Sequence, residues 1–189
     1  MAALRSATSH CHRRLERRLN IRQRFASLER YRSHLEGLLG FQAPLEDQLL
    51  EQGFDSVLAD FSIRRKSEHL KADLRTLGAS ASNIERLPRC ARLPDCSSGE
   101  AALGAWYVFE GATLGGQTLL PAVTGRLGVT AEEGARYLAS YGADVTLMWQ
   151  RFSAAVEVRC ENDSRRSTAA ASAVATFEAL EHWLCERAP

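Results

Sequence analysis

Apolar positions recur every three or four residues along almost the whole chain, as in amphipathic helices that share one core. Leu4, Ala7, Cys11, Leu15 and Leu19 trace a first helix, and a second runs from about residue 21 to 39 and ends at Gly40. Pro44 suits the first turn of a third, which carries Leu45, Leu49, Leu50, Phe54 and Leu58. A fourth spans about 67–77 and stops at Gly78, and the stretch from Pro88 to Gly99, with its prolines and serines, reads as the longest loop. Beyond it a helical stretch over about 100–123 is interrupted by glycines. Helices near 131–140, 143–158 and 167–186 complete the chain. There is no alternating strand pattern of useful length and no internal repeat. The expected fold is therefore all-α: one domain over residues 1–189, about eight helices, one of them kinked at glycines.

Composition narrows the classes of function. With 189 residues, 45% of them apolar and 25% charged, the chain can bury a proper core, unlike disordered or disulfide-dense sequences. The 24 basic residues nearly balance the 23 acidic ones, which argues against a nucleic-acid binder. Arginine supplies almost all the positive charge, since Lys66 and Lys71 are the only lysines. No apolar run reaches the roughly 18 residues that span a bilayer, and Met1-Ala2-Ala3-Leu4-Arg5 turns polar at once, without a signal-peptide core. A cytoplasmic protein with no membrane attachment is expected. Five cysteines, an odd number without CxxC spacing, point to reduced thiols, not to zinc or a disulfide framework.

Two segments exceed what an ordinary helical bundle needs. In Leu4–Glu16, the residues Arg5, Thr8, His12 and Glu16 share one helix face by spacing. A carboxylate at i+4 can accept the second ring N–H of a metal-ligating histidine, which fixes the tautomer and raises the ligand's basicity. Arg5, two turns away, stands about 10 Å along the axis, close to the span from a haem iron to its propionates. An exposed histidine on a charged helix has the same spacing, so the pattern alone leaves both readings open. His10 has Arg14 at i+4 and is the poorer candidate. The second segment, Ala105-Trp106-Tyr107-Val108-Phe109-Glu110-Gly111-Ala112-Thr113-Leu114-Gly115-Gly116-Gln117, places three glycines within six residues of a helix. Each costs about 1 kcal/mol relative to alanine. Gly111 and Gly115 bare the same face, which serves either tight helix packing or a backbone lying flat on a planar ligand. The segment is not a phosphate loop, because GxxxxGK[ST] is absent.

Together these segments resemble the haem oxygenases, in particular the soluble bacterial kind associated with biliverdin supply to bacteriophytochromes. Leu-Arg-Ser-Ala-Thr-Ser-His-Cys-His-Arg-Arg-Leu-Glu is similar to that family's proximal helix, and Tyr107–Gln117 to its distal helix. Residues 31–46, 65–74 and 175–180 also look familial. The resemblance implies oxidative opening of haem to biliverdin with release of carbon monoxide and ferrous iron. Haem b would be substrate and cofactor at once, with its iron held by His12, and O₂ would be co-substrate. It implies His12, Gly111, Thr113 and Gly115 as catalytic residues. Arg5, Thr8, Glu16, Tyr107, Val108, Ala112, Gly116 and Phe177 would join His12 and the two glycines in binding haem. Animal relatives carry an aspartate where this chain has Ala112, which leaves Thr113 or backbone groups to deliver protons. Trp149, Arg151 and Phe152 are candidates for the opposite edge of the pocket, although Trp149 and Phe152 read equally well as packing. Nothing resembles a flavin or nicotinamide site, so electrons must come from a ferredoxin- or flavodoxin-type protein. Arg13, Arg14, Arg17 and Arg18 form a basic cluster suited to such a carrier, and a solvated arginine face would look the same. Two rival functions remain: a non-catalytic haem carrier or sensor on the same fold, and a di-iron carboxylate enzyme. The latter wants paired Glu-x-x-His motifs, and only Glu178–His182 comes near that spacing.

Overall fold

The computed structural model describes residues 1–186. The all-α class holds: among the described residues the only β feature is an isolated bridge between Thr130 and Gly134. The helices are α1 (Ala2–Leu19), α2 (Ile21–Arg24), α3 (Leu28–Glu51), α4 (Phe61–Arg64), α5 (Ser67–Thr76), α6 (Ala81–Glu85), α7 (Gly99–Leu127), α8 (Arg136–Ala139), α9 (Val145–Arg159) and α10 (Asp163–Glu186). Short 3-10 turns occur at Phe54–Ser56 and Gly142–Asp144.

α1 buries the stripe Leu4, Thr8, Cys11, Leu15 and Leu19, carries Arg17 and Arg18 in its last turn, and stops where Asn20 turns left-handed at φ 43°. α3 departs from the expected pair of helices. It runs unbroken through Gly40 and Pro44 because the proline's missing N–H frees only the Gly40 carbonyl, and that carbonyl accepts the Cys90 N–H at 2.8 Å. The true break comes earlier, at residues 25–27, where the Ser27 hydroxyl accepts the Arg30 N–H and starts α3. At the other end α3 stops at Glu51, and Gly53 at φ 70° leads into the 3-10 turn, so Phe54 and Leu58 lie beyond the helix.

Residues 131–135 form a turn, not the first half of a helix. Thr130 Oγ1 accepts the N–H groups of Glu132 and Glu133, and Gly134 sits at φ 90°. α8 then begins only at Arg136, with the buried Asp73 of α5 accepting the N–H groups of Arg136 and Tyr137 at 2.9 Å each. α7 is the long central helix. The Ser98 hydroxyl caps it by accepting the Ala101 N–H, and Gly128 at φ 73° ends it. It stays helical through Gly111, Gly115, Gly116 and Pro121. Both α1 and α7 are seated on α10 and scarcely touch one another. At Gly104 the fit to α10 is so close that a Cβ would lie 2.0 Å from the Ala169 carbonyl oxygen. An aromatic cluster of Phe41, Phe54, Phe61, Trp106 and Phe109 fills the core on the other side of α7.

Candidate functional site

α1 and α10 bring His12 and Phe177 together, with ring centroids 5.8 Å apart in an edge-on arrangement. The His12 side chain is 56% exposed, and its Nδ1 lies 3.5 Å from Glu16 Oε2. One ring nitrogen thus faces a carboxylate acceptor, while Nε2 is left for a ligand. Phe177 is buried beneath the ring. Thr8 faces inward: it is buried in the α1 stripe and its hydroxyl donates to the Leu4 carbonyl at 2.7 Å. Arg5 is exposed and forms no ion pair among the described residues. The four-arginine cluster divides. Arg14 Nε and Arg18 Nη1 donate to the buried Glu181 at 2.6 and 2.9 Å, pinning α1 to α10, and Arg13 and Arg17 stay exposed.

On α7 the three glycines separate into two kinds. A Cβ on Gly116 would lie 2.7 Å from the Leu138 carbonyl oxygen, so that glycine is required by the approach of α8. A Cβ on Gly115 would meet nothing within 4 Å, and one on Gly111 would make only ordinary contact, 4.0 Å from Trp149 Cζ3. No neighbour among the described residues explains why these two positions lack a side chain. Ala112 is exposed beside them and Val108 is buried one turn before. Thr113 is buried, its hydroxyl donating to the Glu110 carbonyl at 2.7 Å. Tyr107 is half-buried, its ring 5.8 Å from that of Trp149, so both flank the Gly111 end of the face. Phe152 is fully buried under the Arg64 guanidinium and belongs to the core, while Arg151 is exposed.

Behind α7 lies a polar network that the sequence reading missed. Arg64 is fully buried. It donates to both carboxylate oxygens of Asp60 at 2.6 and 2.7 Å, to Glu110 Oε2 at 2.7 Å and to the Met148 carbonyl. Glu110 Oε1 also accepts from Trp106 Nε1 at 3.0 Å and from the Tyr141 hydroxyl at 2.6 Å. Burial pushes the Glu110 carboxyl upward, against the pull of Arg64. Lys66 is buried beside them, its Nζ 3.4 Å from the centroid of the Tyr141 ring. A carboxylate inside the apolar run Trp106–Glu110, and the cationic run Arg64-Arg65-Lys66 before α5, were the available signals.

An exposed histidine backed by a carboxylate, and a helix face cleared of side chains, both lie on helices seated on α10 of an all-α protein. The chain belongs to the haem oxygenase family: the family model described as heme oxygenase matches residues 1–186. It is a haem-degrading oxygenase by that membership. No curated protein sequence matches. Among solved structures, the haem oxygenase of Neisseria meningitidis, in its NO- and CO-bound forms, superposes with a TM-score of 0.81 at 20% identity, covering 97% of this chain and 88% of that one. The haem oxygenase of Leptospira interrogans gives a TM-score of 0.76, also at 20% identity, with 98% of each chain covered.

Proposed function

We propose that this chain opens haem to biliverdin, releasing carbon monoxide and ferrous iron, with O₂ as oxidant and an external protein as electron donor. The observation that carries the reading is the pair Gly111 and Gly115, bare of side chains where no protein neighbour requires it, set with His12 around α10. Oxygen activation belongs to haem itself, at once cofactor and substrate.

The protein's part is to hold and orient. His12 would offer Nε2 as the one protein ligand, with the Glu16 carboxylate 3.5 Å from Nδ1, placed to favour the tautomer that leaves Nε2 free. The edge of Phe177 against His12 limits rotation of the imidazole. Arg5, exposed on the same helix, would be available to pair with a propionate. Gly111 and Gly115 would let a planar ligand lie close to the α7 backbone, and Trp149 and Tyr107 narrow one end of that helix face. The glycine face therefore leaves only part of the ring edge accessible to oxidation, which is catalysis by positioning. Arg13 and Arg17, exposed on α1, offer a cationic surface for an acidic ferredoxin or flavodoxin-type donor. A bacteriophytochrome is the proposed recipient of the biliverdin. No described helix is long and apolar enough to cross a membrane; a cytoplasmic location is part of the proposal.

Hemin titration followed by aerobic addition of a reductant tests the reading. A Soret band that saturates at one equivalent and then gives way to the broad red absorption of biliverdin supports it. A Soret band that persists under reductant and O₂ identifies a haem carrier or sensor instead.

A further inference from the structure

One residue further round α7 from the glycine face, Ala112, Thr113 and Gly116 border a small cavity of about 20 Å³ that Lys66, Tyr137 and Ser140 also line. That is room for about one water molecule. Ser140 is held at φ 52°, ψ −111°, a conformation that costs a residue bearing a Cβ on the order of 1–3 kcal/mol. Its buried hydroxyl has no hydrogen-bond partner among the described residues. A strained turn that places an unsatisfied hydroxyl on the wall of a cavity about one water in size, which the buried Lys66 also lines, is the arrangement expected of a water site.

The other polar groups near the cavity are already engaged. Glu110 is spent on Arg64, Trp106 and Tyr141, and Thr113 gives its proton to a backbone carbonyl. Arg64 is locked between two carboxylates, and an arginine keeps its proton at any physiological pH. Lys66 differs. It has no carboxylate within ion-pair distance among the described residues, and its ammonium rests on the Tyr141 ring. Of the two buried cations that line this cavity, Arg64 and Lys66, only the lysine is the type that can release a proton.

The charged and titratable groups around Lys66 come from every element packed on it. Glu110 on α7 and Glu46 on α3 favour its charged form, and Arg64 at the end of α4 opposes it. Tyr141 is held protonated by burial and by Glu110. His69 on α5 is held neutral by burial and by Lys66 itself. Burial dominates and brings Lys66 down to about 8.

Resting on the haem oxygenase reading above, we propose that Lys66 is the proton donor of the distal site, acting through water held in this cavity by Ser140. The Lys66 N–H bond breaks as an O–H bond forms on the cavity water, which passes a proton of its own to an oxygen acceptor on the glycine face. Solvent returns the proton to Lys66 along the same water, and the electrons come from the external donor, so the lysine is unchanged over a cycle.

The test compares hemin complexes of the wild type, Lys66→Arg, Lys66→Met and Ser140→Ala. Three quantities are read: hemin affinity, the pH midpoint of the ferric complex's visible spectrum, and hydrogen peroxide released per haem consumed. All four proteins should bind hemin with the same Soret maximum. Lys66→Met should raise the spectral midpoint by about half a unit or more, and Lys66→Arg, which keeps the charge, should leave it in place. Both substitutions should slow haem consumption about 100-fold and divert electrons to hydrogen peroxide. Ser140→Ala should raise peroxide release without moving hemin affinity, and it carries the test together with Lys66→Arg if Lys66→Met does not fold. Lys66→Arg turning over like the wild type would show a role for charge or packing alone and overturn the proposal, as would an unmoved midpoint in Lys66→Met. A wild type that binds no hemin overturns the functional reading itself, and this inference with it.

Discussion

Alanine at Gly115 and alanine at Gly116 should have opposite effects, although the two residues are neighbours on one helix. At Gly115 the new methyl meets nothing within 4 Å, so the substitution simply removes about 1 kcal/mol of helix-propensity cost. For a chain of this size the apoprotein midpoint should rise by about 2–4 °C. At Gly116 the same gain is set against a Cβ 2.7 Å from the Leu138 carbonyl oxygen, where a backbone segment must move. Overpacking of that kind costs about 1–3 kcal/mol, so the net effect runs from neutral to a loss of about 2 kcal/mol. Hemin should reverse the order of harm. Gly115→Ala puts a methyl where a planar ligand needs the backbone bare and should weaken hemin binding about tenfold or more. Gly116→Ala should leave the affinity of the folded protein within a few-fold of the wild type. Scanning calorimetry of the apoproteins and Soret titrations of both variants measure these effects. If Gly115→Ala destabilises the apoprotein as Gly116→Ala does, or binds hemin like the wild type, the glycine face is not reserved for a ligand and the reasoning fails.

Acidification provides a separate check through His34, buried in α3, whose pKa burial brings down to about 3. The native state refuses a proton that the unfolded chain accepts below its ordinary pKa near 6.5, so this residue makes stability fall as the pH drops. Its share between pH 7 and pH 5 is about 2 kcal/mol, which should be missing from denaturant titrations of His34→Leu. Arg64→Met strands the buried Glu110 carboxylate and should cost about 3–5 kcal/mol in urea unfolding, much of it recovered in the double substitution with Glu110→Gln. Full additivity of the two single changes would show that the pair is not coupled. Glu181→Gln frees Arg14 and Arg18 and loosens α1 on α10. Helical content should be unchanged by circular dichroism, with a rise in hemin Kd of up to about fivefold that shrinks at high salt.

How much of this could be read from the sequence depended on whether the cause was local. The His12–Glu16 spacing and four of the five α1 stripe positions are properties of one helix, and the structure reproduces them; the fifth buried place goes to Thr8, and Ala7, expected in the stripe, is exposed. Gly40 and Pro44 misled because helix breaking is a local tendency, and the carbonyl that Pro44 frees is rescued by Cys90, 50 residues away in the chain. α8 starts late for a similar reason, since its N-terminal N–H groups are satisfied by Asp73 of α5. At the site, Gly111, Gly115 and Gly116 look identical along the chain, and only the position of Leu138 tells the packing glycine from the open pair. The Arg64–Glu110 pair and the burial of Lys66 were missed because their partners converge from α4, α7 and the turn after α8. A sequence pattern shows a charge but not its burial. Thr8 shows the opposite limit: by spacing it shares a face with His12, yet Thr8 is buried and His12 is largely exposed.

The central claim is that one protein bond, from His12, fixes the substrate on α1. It is tested most directly by the visible and low-temperature magnetic-resonance spectra of the ferric hemin complex in the wild type and in His12→Ala, each with and without added imidazole. The account predicts one equivalent bound with a histidine-ligated spectrum in the wild type, loss of that spectrum in His12→Ala, and its return when imidazole is supplied. A His12→Ala complex that keeps the wild-type spectrum without imidazole would contradict it and send the search for the ligand to another residue.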